Sequence, residues 1–198
     1  MLARIRLVLW LLVGIAVIGI VWLATRPLPS PPAQSSSETP LASIGGPFSL
    51  TASDGQPFAS ARLAGKPFAI FFGFTHCPNV CPTTLARLTR LRRMLGEDSL
   101  AIVFVSVDPE RDGPAEVGAY SKLFATPVIG LTGTPAQIDQ VKRQFAVYSA
   151  KAPLPGGGYS VDHTATVFLM DRGGKFVATL ASEEADPVAL DKLRRAAR

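Results

Sequence analysis

The segment PFAIFFGFTHCPNVCPTTLARLTRLRRMLG, residues 67–96, changes its hydrophobic period midway, and the reading of the fold turns on that change. Pro67–Phe74 is a continuous apolar run of strand length, the pattern of a strand buried on both faces. Further on, Leu85, Leu88, Leu91 and Leu95 recur at helical spacing, and Gly96 marks the stop. Between strand and helix lie Cys77 and Cys81, the only two cysteines of the chain. A disulfide here would close a five-residue loop and contribute only about 2 kcal/mol by chain entropy, a poor staple. Pro82 suits the first turn of a helix, which makes Cys81 the expected cap residue, with a thiol pKa lowered by the helix dipole. The pair therefore points to redox or metal chemistry rather than to cross-linking.

Working outward, the same alternation of strand and helix signals continues. A strand at Phe48–Thr51 and the Asp54-Gly55 turn read as a hairpin. Leu100–Asp108 is a second strand buried on both faces. Pro114–Ala125 and Thr134–Tyr148 read as helices, the second with a Thr cap and Pro at its first position. VIGL, residues 128–131, makes a short strand between them, and Lys151–Ser160 reads as a long flexible loop. A closing hairpin over residues 164–180 turns at Asp171–Gly174, and residues 186–197 form a final helix. The order β-α-β-α-β-α-β-β-α predicts an α/β domain, a central mixed sheet with helices on both faces. In such sheets chemistry collects at the carboxyl ends of strands, where Cys77 stands.

Ahead of this domain, Leu7–Ala24 holds 18 residues without a charge, long enough to span a bilayer, with Trp10 and Trp22 near its ends. Trp22-Leu23-Ala24 does not make a small-x-small cleavage site, so the span reads as an uncleaved anchor rather than a signal peptide. Arg4 and Arg6 precede it and Arg26 stands alone behind it. The positive-inside rule thus predicts a single-pass protein of the bacterial inner membrane, N-terminus cytoplasmic and domain periplasmic. Residues 26–40, with five prolines and four serines, read as an extended tether reaching up to about 45 Å. The expected organisation is an anchor over 1–25, a tether over 26–40 and one domain over 41–198. Those three arginines account for three of the five net positive charges, leaving no electrostatic footprint for nucleic acid. Arg87, Arg90, Arg92 and Arg93 cluster on one predicted helix and read as a solvated face, with an acidic-partner patch as the alternative.

The chain has two histidines. His76 adjoins Cys77, and its side chain is expected to leave on the opposite side. His163, in GGGYSVDHTATVF, stands at the mouth of a predicted strand and can complete a Cys₂His set. Asp162 beside it reads as a turn or orienting residue. Two soft thiolates and one imidazole suit Cu(I), which accepts three ligands, whereas structural Zn²⁺ almost always takes four. Two readings stay open from the residues alone. In one, the domain is a copper-binding module using Cys77, Cys81 and His163. In the other it is a thiol-disulfide oxidoreductase in which one cysteine attacks and the other resolves. Only the first needs His163. A peroxiredoxin-type peroxidase fits less well, because its cysteine stands in a different motif. A Cys–His protease leaves the second cysteine and the anchor without a role.

GFTHCPNVCPTTL, FVSVDPERD and YSVDHTATVFLMD, in that order and spacing, resemble the Sco (SenC) family of membrane-anchored copper proteins of cytochrome c oxidase assembly. The resemblance covers about Pro47 to Arg198. It implies a thioredoxin-like fold, copper as Cu(I) or Cu(II), and Cys77, Cys81 and His163 as ligands. It implies delivery of copper to the Cu(A) centre of the oxidase, or reduction of that centre's cysteines. The copper-bearing oxidase subunit or another copper chaperone would be the partner. A metallochaperone is expected ahead of an enzyme. Asn79 departs from the family's usual Asp between the cysteines, which bears on thiol pKa, copper affinity or docking but removes no ligand. Asp108 and Asp112 match the VDPERD element in a structural or partner-facing role.

Overall fold

The computed structural model describes Trp22 and residues 44–198. The expected anchor over 1–25 and tether over 26–40 otherwise lie outside the described residues. Among the described residues no helix is long and apolar enough to cross a membrane. The chain divides into Met1–Glu38 and Thr39–Arg198, and the second unit carries every element below.

Nine strands and four α-helices lie within the described residues 44–198, with a 3-10 turn at Ser60–Leu63. In chain order they are β1 Ser49–Ala52, β2 Pro57–Ala59, β3 Phe68–Gly73, α1 Val80–Leu95, β4 Ala101–Ser106, α2 Pro114–Ser121, β5 Ile129–Thr132, α3 Pro135–Gln144, β6 Ser149–Pro153, β7 Tyr159–His163, β8 Val167–Met170, β9 Phe176–Leu180 and α4 Asp186–Ala197. Seven strands form one mixed sheet in the order β2-β1-β5-β4-β3-β8-β9. β3 pairs in parallel with β4, and β4 with β5, while β1–β2, β1–β5, β3–β8 and β8–β9 are antiparallel. Every residue of β3 and β4 is buried, as their unbroken apolar runs require of central strands covered on both faces. Alternate residues face opposite ways. Phe72 meets Phe145, just beyond α3, at 5.3 Å between ring centroids, while Gly73 faces Cys81 of α1.

The local signals act as their chemistry dictates. Cys81, Leu85, Leu88 and Leu91 form the buried stripe of α1, and Gly96 closes it at φ +107°, a conformation that costs other residues a Cβ clash. Thr134 caps α3 through a capping box with Gln137 and is followed by Pro135. That helix stops at Gln144, short of the expected Tyr148, because Ala146 turns the chain left-handed at φ +53°. Residues 151–160 are not one flexible loop. β6 and β7 pair antiparallel as a separate two-stranded sheet, with Ser149 opposite His163.

The four arginines of α1 do not share a solvated face. Arg92 is buried, and Arg87 and Arg90 both bond the Asp186 carboxylate. Arg87 also donates to the Ala181, Ser182 and Glu184 carbonyls, so it ties α1 to the chain entering α4.

Because β3 and β4 run in parallel and end in register, Gly73 opposite Ser106, the loops that follow them emerge side by side. One carries Cys77 and the other Asp108–Asp112. β8 runs antiparallel and begins at Val167 opposite Phe71, so the chain just before it, with His163, reaches the same end of the sheet.

Candidate metal centre

Cys77, Cys81 and His163 converge at that end. Their ligand atoms, two Sγ and one imidazole nitrogen, all lie within 4.8 Å of one another. Cys81 Sγ is 3.4 Å from His163 Nε2, and the Cys81 backbone N–H donates to Cys77 Sγ at 3.4 Å. Neither cysteine is in a disulfide.

The two thiols occupy different environments. The residue preceding α1 is Asn79, so Cys81 is not the cap but lies inside the first turn, fully buried. Burial pushes its thiol well above the ordinary value, and the neighbouring Cys77 thiol adds to the rise. This reverses the expectation of a dipole-lowered Cys81. Desolvation of the anion outweighs a partial charge of about half an electron at the helix end. Cys77 is half-buried, and its sulfur accepts the first-turn N–H.

Gly73 creates the space for the buried sulfur. A Cβ at this position would lie 2.7 Å from Cys81 Sγ and 3.1 Å from the Phe104 ring. A glycine at the end of an otherwise apolar strand, close to a cysteine pair, was a legible signal of such an approach.

His163 ends β7. Its Nδ1 lies 3.1 Å from the Thr164 carbonyl oxygen, which can only accept, so Nδ1 carries the proton and Nε2 turns its lone pair toward the thiols. Phe71 and Phe74 meet the imidazole edge-on at 6.1 and 5.8 Å. Burial lowers its pKa, which favours the neutral ring that ligates metals. His76 takes no part. It is exposed, with Nδ1 3.4 Å from an Asp112 carboxylate oxygen, and is not among the clustered donors. Asp162 is exposed.

Beneath the cysteine loop, Asp112 is fully buried and accepts from Thr75 N–H at 2.8 Å, Thr75 Oγ1 at 2.6 Å and Ser106 Oγ at 2.6 Å. Thr132 Oγ1 donates to its carbonyl. Asp108, also buried, receives Tyr159 OH and Arg111 Nε. Both aspartates are therefore structural, each fastening a different segment of the site. Thr75, Ser106, Phe71 and Phe74 could not be placed there from sequence, since nothing local pairs them with residues tens of positions away.

Two thiolates and one neutral imidazole make a soft donor set of three, which suits a monovalent copper ion and leaves a tetrahedral zinc one ligand short. The donors fit copper.

A family model described as SCO1/SenC matches residues 36–198. The mitochondrial SCO1 homolog 1 of Arabidopsis thaliana is 42% identical over 139 residues, 69% of this chain and 42% of that protein. A SCO2-like protein of Rickettsia prowazekii is 32% identical over 178 residues, 88% of this chain and 87% of that protein. Among solved structures, ScoI of Bradyrhizobium japonicum with copper bound superposes with a TM-score of 0.70 at 43% identity, covering 77% of this chain and 99% of that one. The chain spans a little under half the length of the mitochondrial SCO1 relatives it matches.

Proposed function

This chain belongs to the SCO1/SenC family, and from that premise we propose that it holds copper through Cys77, Cys81 and His163 and passes it on during assembly of cytochrome c oxidase. The observation that carries the reading is the convergence within 4.8 Å of three soft donors from the loop after β3, the first turn of α1 and the end of β7. Similar proteins from Bradyrhizobium japonicum, Arabidopsis thaliana and yeast have been solved with copper bound, which supports the choice of metal. Cys81 and His163 are the fixed side of the site, both held in their neutral forms by burial. A cation entering there compensates the thiolate charge, and Cys81 gives up its proton as it ligates. Cys77, half-exposed, is the donor a partner reaches first, so ligand exchange begins at its sulfur.

The finer reading is delivery to the Cu(A) centre, with the copper-bearing oxidase subunit or another copper chaperone as partner. Leu7–Ala24 would anchor the protein in a bacterial inner membrane, with residues 26–40 as tether and the domain in the periplasm.

A second reading, thiol-disulfide exchange, is favoured by the asymmetry of the pair. Cys77, accessible and accepting a helix N–H, would attack a partner disulfide. Cys81, losing its proton, would then attack the Cys77 sulfur of the mixed disulfide and release the partner's thiolate, so that the Cys77–Cys81 bond closes and the partner gains two electrons and two protons.

Copper titration of the reduced full chain, with Cys77→Ser, Cys81→Ser and His163→Ala alongside, tests the proposal. One copper per chain, with intense thiolate-to-Cu(II) absorption lost in both cysteine variants and altered in His163→Ala, is the expected result. Weak binding indifferent to His163, with a readily reduced Cys77–Cys81 disulfide, would replace it with the thiol reading.

A further inference from the structure

Two of the three donor atoms stand on the loop after β3 and on the first turn of α1, next to the seven-stranded sheet, but the third does not. His163 belongs to β7, which among the described residues pairs only with β6. Placing its imidazole against the thiols is therefore a docking problem between two sheets, and a lone hairpin is marginally stable in water. The underside of the hairpin does not close the gap, since a cavity of about 190 Å³ lies between it, α3 and the loop after β4.

A closed polar ring ties down the turn end of the hairpin, beside the buried Val161 and the Lys151–Glu110 ion pair. Tyr159, the first residue of β7, donates its OH to Asp108 Oδ1 at 2.8 Å. Arg111 Nε donates to Asp108 Oδ2 at 2.5 Å, and Arg111 Nη1 returns to the Tyr159 carbonyl at 2.9 Å. The guanidinium stacks on the Tyr159 ring at 3.8 Å and faces the Phe74 ring at 5.8 Å. Phe74 in turn meets the His163 ring edge-on. The Asp108 side chain is 1% exposed, so these charged bonds act largely out of water, where they are strong and directional. Arg111 thus touches the hairpin on one side and the aromatic floor of His163 on the other.

We propose that Asp108, Arg111 and Tyr159 form a latch that docks the β6–β7 hairpin, and that His163 reaches Cys77 and Cys81 only while the latch is closed. The three are positioning residues. None is a donor to the metal, and each acts through the place it gives His163. Opening the latch leaves a two-thiolate site and a free imidazole, so hairpin docking sets how tightly copper is kept. The copper arm of the test below rests on the function proposed above, and the metal-free arm does not.

The variants are Tyr159→Phe, which removes one oxygen and keeps the stacked ring, and Arg111→Lys and Asp108→Asn. Lys192→Met serves as control, because Lys192 bonds the Thr179 carbonyl and Glu184 away from the hairpin. In metal-free full-length protein, NMR contacts between the His163 and Phe74 rings should be strong in the parent and control and weakened in all three latch variants. With Cu(II), the parent and control should show nitrogen coupling from one imidazole. The latch variants should lose that coupling and bind about 10- to 100-fold more weakly, the range for losing an orienting partner of a ligand, while keeping thiolate-to-copper absorption. Unchanged ring contacts in Tyr159→Phe and Arg111→Lys would overturn the latch, as would an affinity loss equally large in Lys192→Met. If the parent binds no copper, the proposed function fails, and the ring contacts still decide the latch.

Discussion

Gly73→Ala puts a single methyl where the buried thiol sits. An added Cβ would lie 2.7 Å from Cys81 Sγ, 3.1 Å from Phe104 and 3.2 Å from Phe71. Comfortable contact between such atoms needs about 3.5–4.0 Å, so something must move by close to 1 Å. The strand cannot easily yield, because β3 is paired with β4 along its whole length and with β8 at Phe68–Phe71. Both phenylalanines are fully buried. Cys81, in the first turn of α1, is the part left to shift, and its sulfur moves away from the sheet. Overpacking of this kind costs about 1–3 kcal/mol. For a domain of this size that lowers Tm by roughly 2–12 °C, at 2–4 °C per kcal/mol. The same displacement pulls one donor out of the 4.8 Å cluster, so copper affinity should fall alongside stability. Thermal unfolding of the metal-free protein and a copper competition titration measure the two effects. Gly156→Ala, where an added Cβ meets nothing within 4 Å, is the matched control and should change neither. A Gly73→Ala protein with parental Tm and parental copper affinity would refute the argument that this glycine makes room for the thiol.

Two further outcomes follow from the buried groups. Cys81 has a thiol pKa raised by burial, so the folded state holds its proton after the unfolded chain has released it. Stability of the metal-free protein should therefore fall as pH rises above about 9, the ordinary thiol value, by roughly 1 kcal/mol per pH unit, and urea unfolding of Cys81→Ala should lack that component. Equal slopes in parent and variant would exclude it. Asp112→Ala leaves Thr75 N–H, Thr75 Oγ1 and Ser106 Oγ without their acceptor beneath the cysteine loop. A loss of about 3 kcal/mol or more is expected by denaturant titration, against an exposed-site baseline within about 0.5 kcal/mol.

The sequence by itself determined what depends on neighbours along the chain. The apolar runs of β3 and β4, the leucine stripe of α1, the Gly96 stop and the Thr134–Gln137 cap are short-range patterns, and each formed where its period or cap chemistry placed it. The two cysteines likewise lie where the change of period put them, between the end of β3 and the first turn of α1. The tertiary structure alone decided the rest, because the energies involved are collected from residues far apart. β6 escaped notice since Ser149–Pro153 offers alanine, lysine and proline but no alternating apolar face, and only Tyr159, Val161 and His163 hint at its partner. Cys81 became the buried, proton-holding thiol because Gly73, from another element, leaves a hollow for it. Arg92 went inside, and Arg87 and Arg90 went to Asp186, although all four arginines looked alike on a helix. The Asp108–Arg111–Tyr159 ring joins a loop to a hairpin some 50 residues away. Local propensity can fix where a strand or helix begins. It carries no information about which buried charge will find which partner across the fold.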